Sequence, residues 1–143
     1  MKQLIRVMKA LSDPNRLRIL KLLEGGELCV CEIQKVLELA QSTVSRHMKL
    51  LEDADLVTRR RQGTWMLYRL AAAGENPYAK TMLERLAGWL EDDATLHRMR
   101  QALPEAAVLR GCTPEKQEKR KNNGTHSTDR MRLNPGQYRP GGR

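Results

Sequence analysis

Residues 27–70, ELCVCEIQKVLELAQSTVSRHMKLLEDADLVTRRRQGTWMLYRL, decide how the rest of the chain is read. Cys29 and Cys31 stand one valine apart at the start of a short segment, 31–39, in which Ile33, Val36 and Leu37 recur at helical spacing. A tight polar step at Ala40-Gln41-Ser42 leads into a second amphipathic segment over 41–54, with Val44, Met48 and Leu51 on its buried side. From Leu56 the period changes, and 57–61 and 65–70 read as two short strands around Gln62-Gly63. Two helices joined by a short step, with a basic hairpin directly behind them, form the pattern of a winged helix-turn-helix. In that arrangement the second helix enters the major groove and the hairpin grips phosphate.

The residue types on the second helix suit that task. Ser42, Thr43 and Ser45 can approach phosphates and base edges without bulk, and Arg46 can fork onto guanine or a phosphate. Gln41 or His47 can add a hydrogen bond, and Lys49 lies on the same polar side. On the hairpin, successive strand residues point to opposite faces, so Arg59 and Arg61 share a face and Arg60 is opposite. The expected contacts there are Arg59, Arg61, Gln62 and Gly63, with Trp65 and Tyr68 packing under the hairpin. A solvated helix face and a solvated charge run would each explain one of these features; their adjacency points to DNA.

Working outward, residues 2–11 carry Leu4, Ile5, Met8 and Leu11 at helical spacing, and Asp13-Pro14 is a strong helix start. The helix behind it carries Leu17, Leu20 and Leu23, flanked by Ile19 and Leu22, and stops at Gly25-Gly26. Beyond the hairpin, Asn76 or Pro77 opens a helix with Met82, Leu83, Leu86 and Leu90, expected to run to Leu103 before Pro104 ends it. A helix that long, at the end of so small a domain, packs more often on a partner subunit than on its own core. The expectation is a mainly α fold with a small β-hairpin, dimerising through its first and last helices. Residues 1–103 form the domain and residues 104–143 a basic, disordered tail, with charges crowded at 115–121 and a Pro/Gly-rich end.

A chain of 143 residues fits one domain and a tail, and its net charge of +9 favours a polyanionic partner. Residues 1–103 hold 17 Lys and Arg against 13 Asp and Glu, whereas 104–143 hold 9 against 4. The folded part is only mildly basic, so its DNA affinity must come from local clusters. Phe is absent and aromatics make up 3%, which argues against sheet-type RNA binders with stacking platforms. No apolar run approaches the ~20 residues of a membrane span, and no signal-peptide pattern opens the chain. An enzyme is not expected: there is no phosphate-cradling Gly loop, and none of the three histidines stands beside a candidate nucleophile. Three cysteines, two of them one residue apart, do not read as a disulfide framework, because neighbours that close do not easily bridge. Reactive thiols suit a reducing cytoplasm.

On a regular helix, residues i and i+2 lie about 200° apart and their sulfurs diverge. In extended or frayed backbone Cys29 and Cys31 could converge on one soft ion, and thiolates select thiophilic metals and metalloids over Mg or Ca. Isolated cysteines are usually small buried apolar residues. Two of three cysteines flanking one valine just before a DNA reader favour a sensor instead.

These motifs resemble the ArsR/SmtB family of metal-responsive winged-helix repressors. The resemblance covers about residues 1–100 and is carried by ALSDPNRLRIL at 10–20, ELCVCEI at 27–33 and QSTVSRH at 41–47. It implies a cytoplasmic homodimer on double-stranded operator DNA with two-fold symmetry, needing no cofactor to bind. Trivalent arsenic or antimony, As(III) or Sb(III), would bind Cys29 and Cys31 and lower DNA affinity, freeing transcription of resistance genes. The alternative is a thiol-redox-responsive regulator with the same DNA reader and no metal ligand. Three departures stand out. The family's arsenic box has a further cysteine where this chain has Gln34, so three-sulfur binding would need Cys112 or an outside thiol. Asp92, Asp93 and His97 lack the spacing of the family's zinc site on the last helix. Ala40 replaces the hydroxyl cap that many relatives carry ahead of the recognition helix.

Overall fold

A computed structural model describes residues 1–72 and 74–110 of the protein. The chain opens with α1 (Lys2–Leu11) and α2 (Pro14–Leu23), then a two-residue strand β1 (Leu28–Cys29) leads into α3 (Val30–Leu37) and α4 (Gln41–Asp53). The hairpin β2 (Val57–Gln62) and β3 (Trp65–Leu70) follows, and α5 (Pro77–Leu86) and α6 (Ala94–Arg110) complete the described part.

The punctuation residues act as their chemistry predicts. The Asp13 carboxylate accepts from the Asn15 and Arg16 amides at 2.9 and 3.1 Å, with Pro14 in the first turn where its missing N–H costs nothing. Asn76 caps α5 in the same way through the Tyr78 and Ala79 amides, again ahead of a proline. Ala40 offers α4 no side-chain cap. The hairpin closes on the two residues Gly63-Thr64, since Gln62 pairs with Trp65, and Gly63 takes the positive φ of +62° that such a turn demands.

Three features differ from the sequence reading. The sheet has a third strand, and its order β1-β3-β2 makes β3 the central one. Two residues carry no alternation to read, so β1 is invisible without its partner. The single long helix expected from residue 76 to 103 is two helices. Gly88, Leu90 at φ +61° and Asp93 interrupt it, and Asp93 restarts the chain by accepting from the Leu96 amide at 2.8 Å. Finally, α6 runs through Pro104 to Arg110. A proline inside a helix costs about 3 kcal/mol. Met99, Ala102, Leu103 and Ala106 pack on the core on both sides of it, and burial contributes of order 1–3 kcal/mol per large side chain, enough to offset that cost. The first residues of the expected tail therefore belong to a helix; residues 111–143, Cys112 included, lie outside the described residues.

One core joins all the helices: Val7 and Ala10 of α1, Ile19 to Leu23 of α2, Ile33 and Val36 of α3, Val44, Met48 and Leu51 of α4, and Tyr68 of β3. Lys21 is fully buried among them. Its ammonium donates to the Leu86 and Ala87 carbonyls and to Glu91, and pairs with Glu24 at 2.8 Å, so it closes the open end of α5. Burial alone would push Lys21 toward neutrality; the hydrogen bonds to Glu24 and Glu91 instead hold its pKa above the ordinary value. On α1 the buried pair is Val7 and Ala10, while Ile5 and Met8 remain 47% and 46% exposed.

Candidate DNA interface and thiol site

Gln41, Ser42, Ser45, Arg46 and Lys49 lie exposed along one side of α4, with Thr43 half-buried at its first turn. Lys49 is tethered to Asp53 one turn on, at 2.7 Å. His47, expected among the DNA-facing residues, is only 8% exposed and faces inward. Its Nδ1 lies 3.4 Å from the Arg16 guanidinium, which also reaches the Ala10 and Lys9 carbonyls and so ties α1, α2 and α4 together. Burial depresses the His47 pKa, and Arg16 and Arg46 add to the effect against the pull of Asp13. At position 47 the helix has turned its inner face to α2, so this polar residue is buried beside Arg16.

Arg59 and Arg61 share one face of the hairpin, as the alternation requires, and both are exposed. Arg59 is drawn to α4 by Glu52, at 3.0 Å. Gln62, half-buried, and Gly63 sit at the hairpin tip. Hence α4 and the Arg59–Arg61 face form one continuous polar and basic surface.

Arg60, on the other face, pairs with Glu27 through two hydrogen bonds of 2.8 and 2.6 Å. That fork holds the Glu27 carboxyl below its ordinary pKa.

Cys29 is the N-cap of α3, in extended backbone at φ −84° and ψ 161°, and only Cys31 is inside the helix. The divergence of i and i+2 on a helix therefore does not apply, and the two sulfurs are joined as a disulfide with Cα atoms 5.4 Å apart. The expectation that so close a pair does not bridge is corrected on that ground. The Glu32 carboxylate accepts from the Cys29 amide at 2.7 Å and fixes the helix start; burial raises its pKa against that bond. Around the sulfurs lie Leu67 and Trp65 of β3, forming a small apolar cluster apart from the main core. Tyr68, on the opposite face, belongs to the main core. Two sulfurs brought together in an apolar setting suit a soft ion once reduced. Among the described residues, no group of three or more His, Cys, Asp and Glu side chains is arranged to hold a metal ion. No described helix is long and apolar enough to cross a membrane.

Sequence reading missed Trp65 and Leu67 as neighbours of the cysteines, and Arg60 as the partner of Glu27. Their proximity depends on the pairing of β1 with β3, for which two residues hold no signal.

Residues 13–59 match the family described as "Bacterial regulatory protein, arsR family". The arsenical resistance operon repressor of Staphylococcus xylosus is 48% identical over 69 residues, which span 48% of this chain and 66% of that one, just under two thirds of its length. The arsenic resistance transcriptional regulator ArsR1 of Pseudomonas putida is 38% identical over 92 residues, covering 62% of this chain and 72% of its own. A solved structure from Mycobacterium bovis, described as the homodimeric winged helix-turn-helix DNA-binding domain of a possible ArsR-family transcriptional regulator, superposes with a TM-score of 0.50. It is 36% identical and covers 60% of this chain and 79% of that one.

Proposed function

Since this chain belongs to the arsR family of bacterial regulatory proteins, we propose that it is a DNA-binding repressor of a metalloid-resistance operon. In this reading it works in the cytoplasm and leaves its operator when As(III) or Sb(III) binds Cys29 and Cys31. The observation that carries the reading is the meeting of the two sulfurs at the cap of α3, the helix that packs directly on the recognition helix α4. With both thiols reduced, arsenous acid loses two hydroxides as water, each taking one thiol proton, while two As–O bonds give way to two As–S bonds. Cys112, two residues past α6 in the sequence and outside the described residues, is proposed as a third sulfur, since α6 itself packs on α3. DNA binding needs no cofactor.

The proposed DNA contacts are Gln41, Ser42, Thr43, Ser45, Arg46 and Lys49 from α4, with Arg59, Arg61, Gln62 and Gly63 from the hairpin. A homodimer would place two copies of α4 on an operator with matching two-fold symmetry. A ligand that frees DNA must favour the DNA-free form, and each tenfold of preference is worth about 1.4 kcal/mol. Operator binding titrated with arsenite tests this. Cys29→Ser or Cys31→Ser is expected to bind operator normally yet fail to release it. Release of the double variant at wild-type arsenite concentrations would make the pair structural.

The disulfide itself favours a second reading, in which oxidation of the pair is the signal. Reduced and oxidised protein would then differ in operator affinity with no metalloid present. Arsenite acting only on reduced protein, with oxidation alone leaving affinity unchanged, would decide for the first.

A further inference from the structure

The thiol pair and the wing share a sheet. Cys29 of β1 stands opposite Leu67 of β3, and Leu67 stands opposite Arg60 of β2, so the three form one row across the strands. Residues directly opposite in an antiparallel sheet point to the same side. One face of the sheet therefore carries Cys29, Leu67, Arg60, Trp65 and Gln62, and the other carries Arg59 and Arg61 beside the recognition helix. Trp65 and Leu67 pack on the two cysteines, and Glu27, two residues before Cys29, holds Arg60 by both carboxylate oxygens. The wing is thus attached to the cysteine strand in three ways: by the backbone pairing of β1 with β3, by the packing of Trp65 and Leu67 on the cysteines, and by an ion pair spanning from the start of β1 to β2.

We infer that the Glu27–Arg60 pair, with Trp65 and Leu67, is a coupling element that carries the state of the thiol pair to the wing, by a route separate from the packing of α3 on α4. This rests on the proposed release by a thiol ligand. A ligand seated between the sulfurs displaces Cys29 and hence β1. Glu27 moves with β1, and Arg60 and the central strand follow, so the Arg59–Arg61 face shifts relative to α4. Glu27 and Arg60 are positioning residues here; neither touches the ligand. A half-exposed bidentate pair is a modest link, so its removal is expected to change coupling by about two- to fivefold and not abolish it.

Glu27→Gln is the informative variant, because it removes the charge and one of the two acceptor oxygens while leaving every wing cation in place. The quantity read is the ratio of operator Kd with saturating arsenite to that without, on the reduced full-length protein. Glu27→Gln is expected to lower this ratio about two- to fivefold with arsenite binding to the thiols unchanged. Exchanging the partners, Glu27→Arg with Arg60→Glu, is expected to restore it, whatever the loss in overall DNA affinity. Trp65 emission should shift when arsenite binds in the absence of DNA, with Trp65→Phe as the subtraction for Trp89. An unchanged ratio in Glu27→Gln, no recovery on exchange, or a silent Trp65 would each overturn the coupling while leaving arsenite release by the wild type intact. If the wild type itself keeps its operator at saturating arsenite, the repressor reading fails and the coupling with it.

Discussion

At the scale of single residues, α4 carries a buried titratable group and an exposed polar face. The position of His47 on the inner side of α4 has a pH consequence. Its folded pKa lies below the ordinary 6.5, so the unfolded chain binds the extra proton first. The stability it contributes is present above pH 6.5 and is lost as pH falls below that value, at no more than about 1.4 kcal/mol per pH unit. Denaturant midpoints measured from pH 7.5 to 5 should therefore decline, and His47→Gln should flatten the decline; an identical slope would place the proton elsewhere. Arg46 and Arg59 are proposed for two different kinds of DNA contact. Arg46→Ala is expected to weaken operator binding by about 1–3 kcal/mol if it forks onto a base. Arg59→Ala is expected to weaken all sequences alike and to reduce the slope of affinity against salt by about one ion. Competition with unrelated DNA over a salt series distinguishes them. The exposed polar side of α4 and the shared face of Arg59 and Arg61 were legible from periodicity alone. The inward turn of His47 was not, because its position lies at the edge of the apolar stripe, where the packing of α2 decides.

Elements began where local chemistry said and ended where packing said. Asp13-Pro14 and Asn76-Pro77 start helices because capping is settled within three or four residues. Ala40 has the extended backbone of a capping residue, at φ −65° and ψ 148°, but no oxygen to use. Ala40→Ser is thus expected to stabilise the protein by about 0.5–1 kcal/mol through a new bond to the first turn of α4, raising the thermal midpoint by a few degrees. A midpoint unchanged or lowered would show that the first turn is already satisfied. The opposite lesson comes from the C-terminal half. Leu83, Leu86 and Leu90 kept an apolar rhythm across a break, since periodicity does not register a single αL residue. Pro104 signalled an end that burial of Ala106 and its neighbours overrode.

For the whole molecule, the question is what covers the apolar surface. The last helix was expected to pack on a partner; within its own chain α6 lies on α3 and α2. A candidate dimer face is α1, where Ile5 and Met8 are exposed, together with Trp89 and Leu90 just beyond α5, which α1 contacts. Leu86 is spent on the protein's own core. A cleft of about 380 Å³ between Leu11, Leu17, Met82, Leu86, Trp89 and Leu90 adjoins this face and could receive partner side chains. Sedimentation at micromolar concentration is expected to show a dimer. Ile5→Glu with Met8→Glu should weaken it at least about a hundredfold, near 3 kcal/mol, by placing charge in an apolar contact. A double variant that stays dimeric would move the interface elsewhere.

The order and type of α1 to α4, the hairpin and the exposed polar side of α4 were set by the sequence, because each depends on residues at most a few positions apart. A capping carboxylate, a 3.6-residue stripe and a two-residue alternation are complete signals within one element. The relation of the cysteines to the rest of the molecule was decided only in three dimensions. Whether their sulfurs meet depends on Cys29 standing outside α3, and what surrounds them depends on β1 adding to β3. That pairing brings residues 27 and 60 within hydrogen-bond distance and places Trp65 and Leu67 on the thiols. Contacts across such a separation follow from how the whole core packs, which no local pattern encodes.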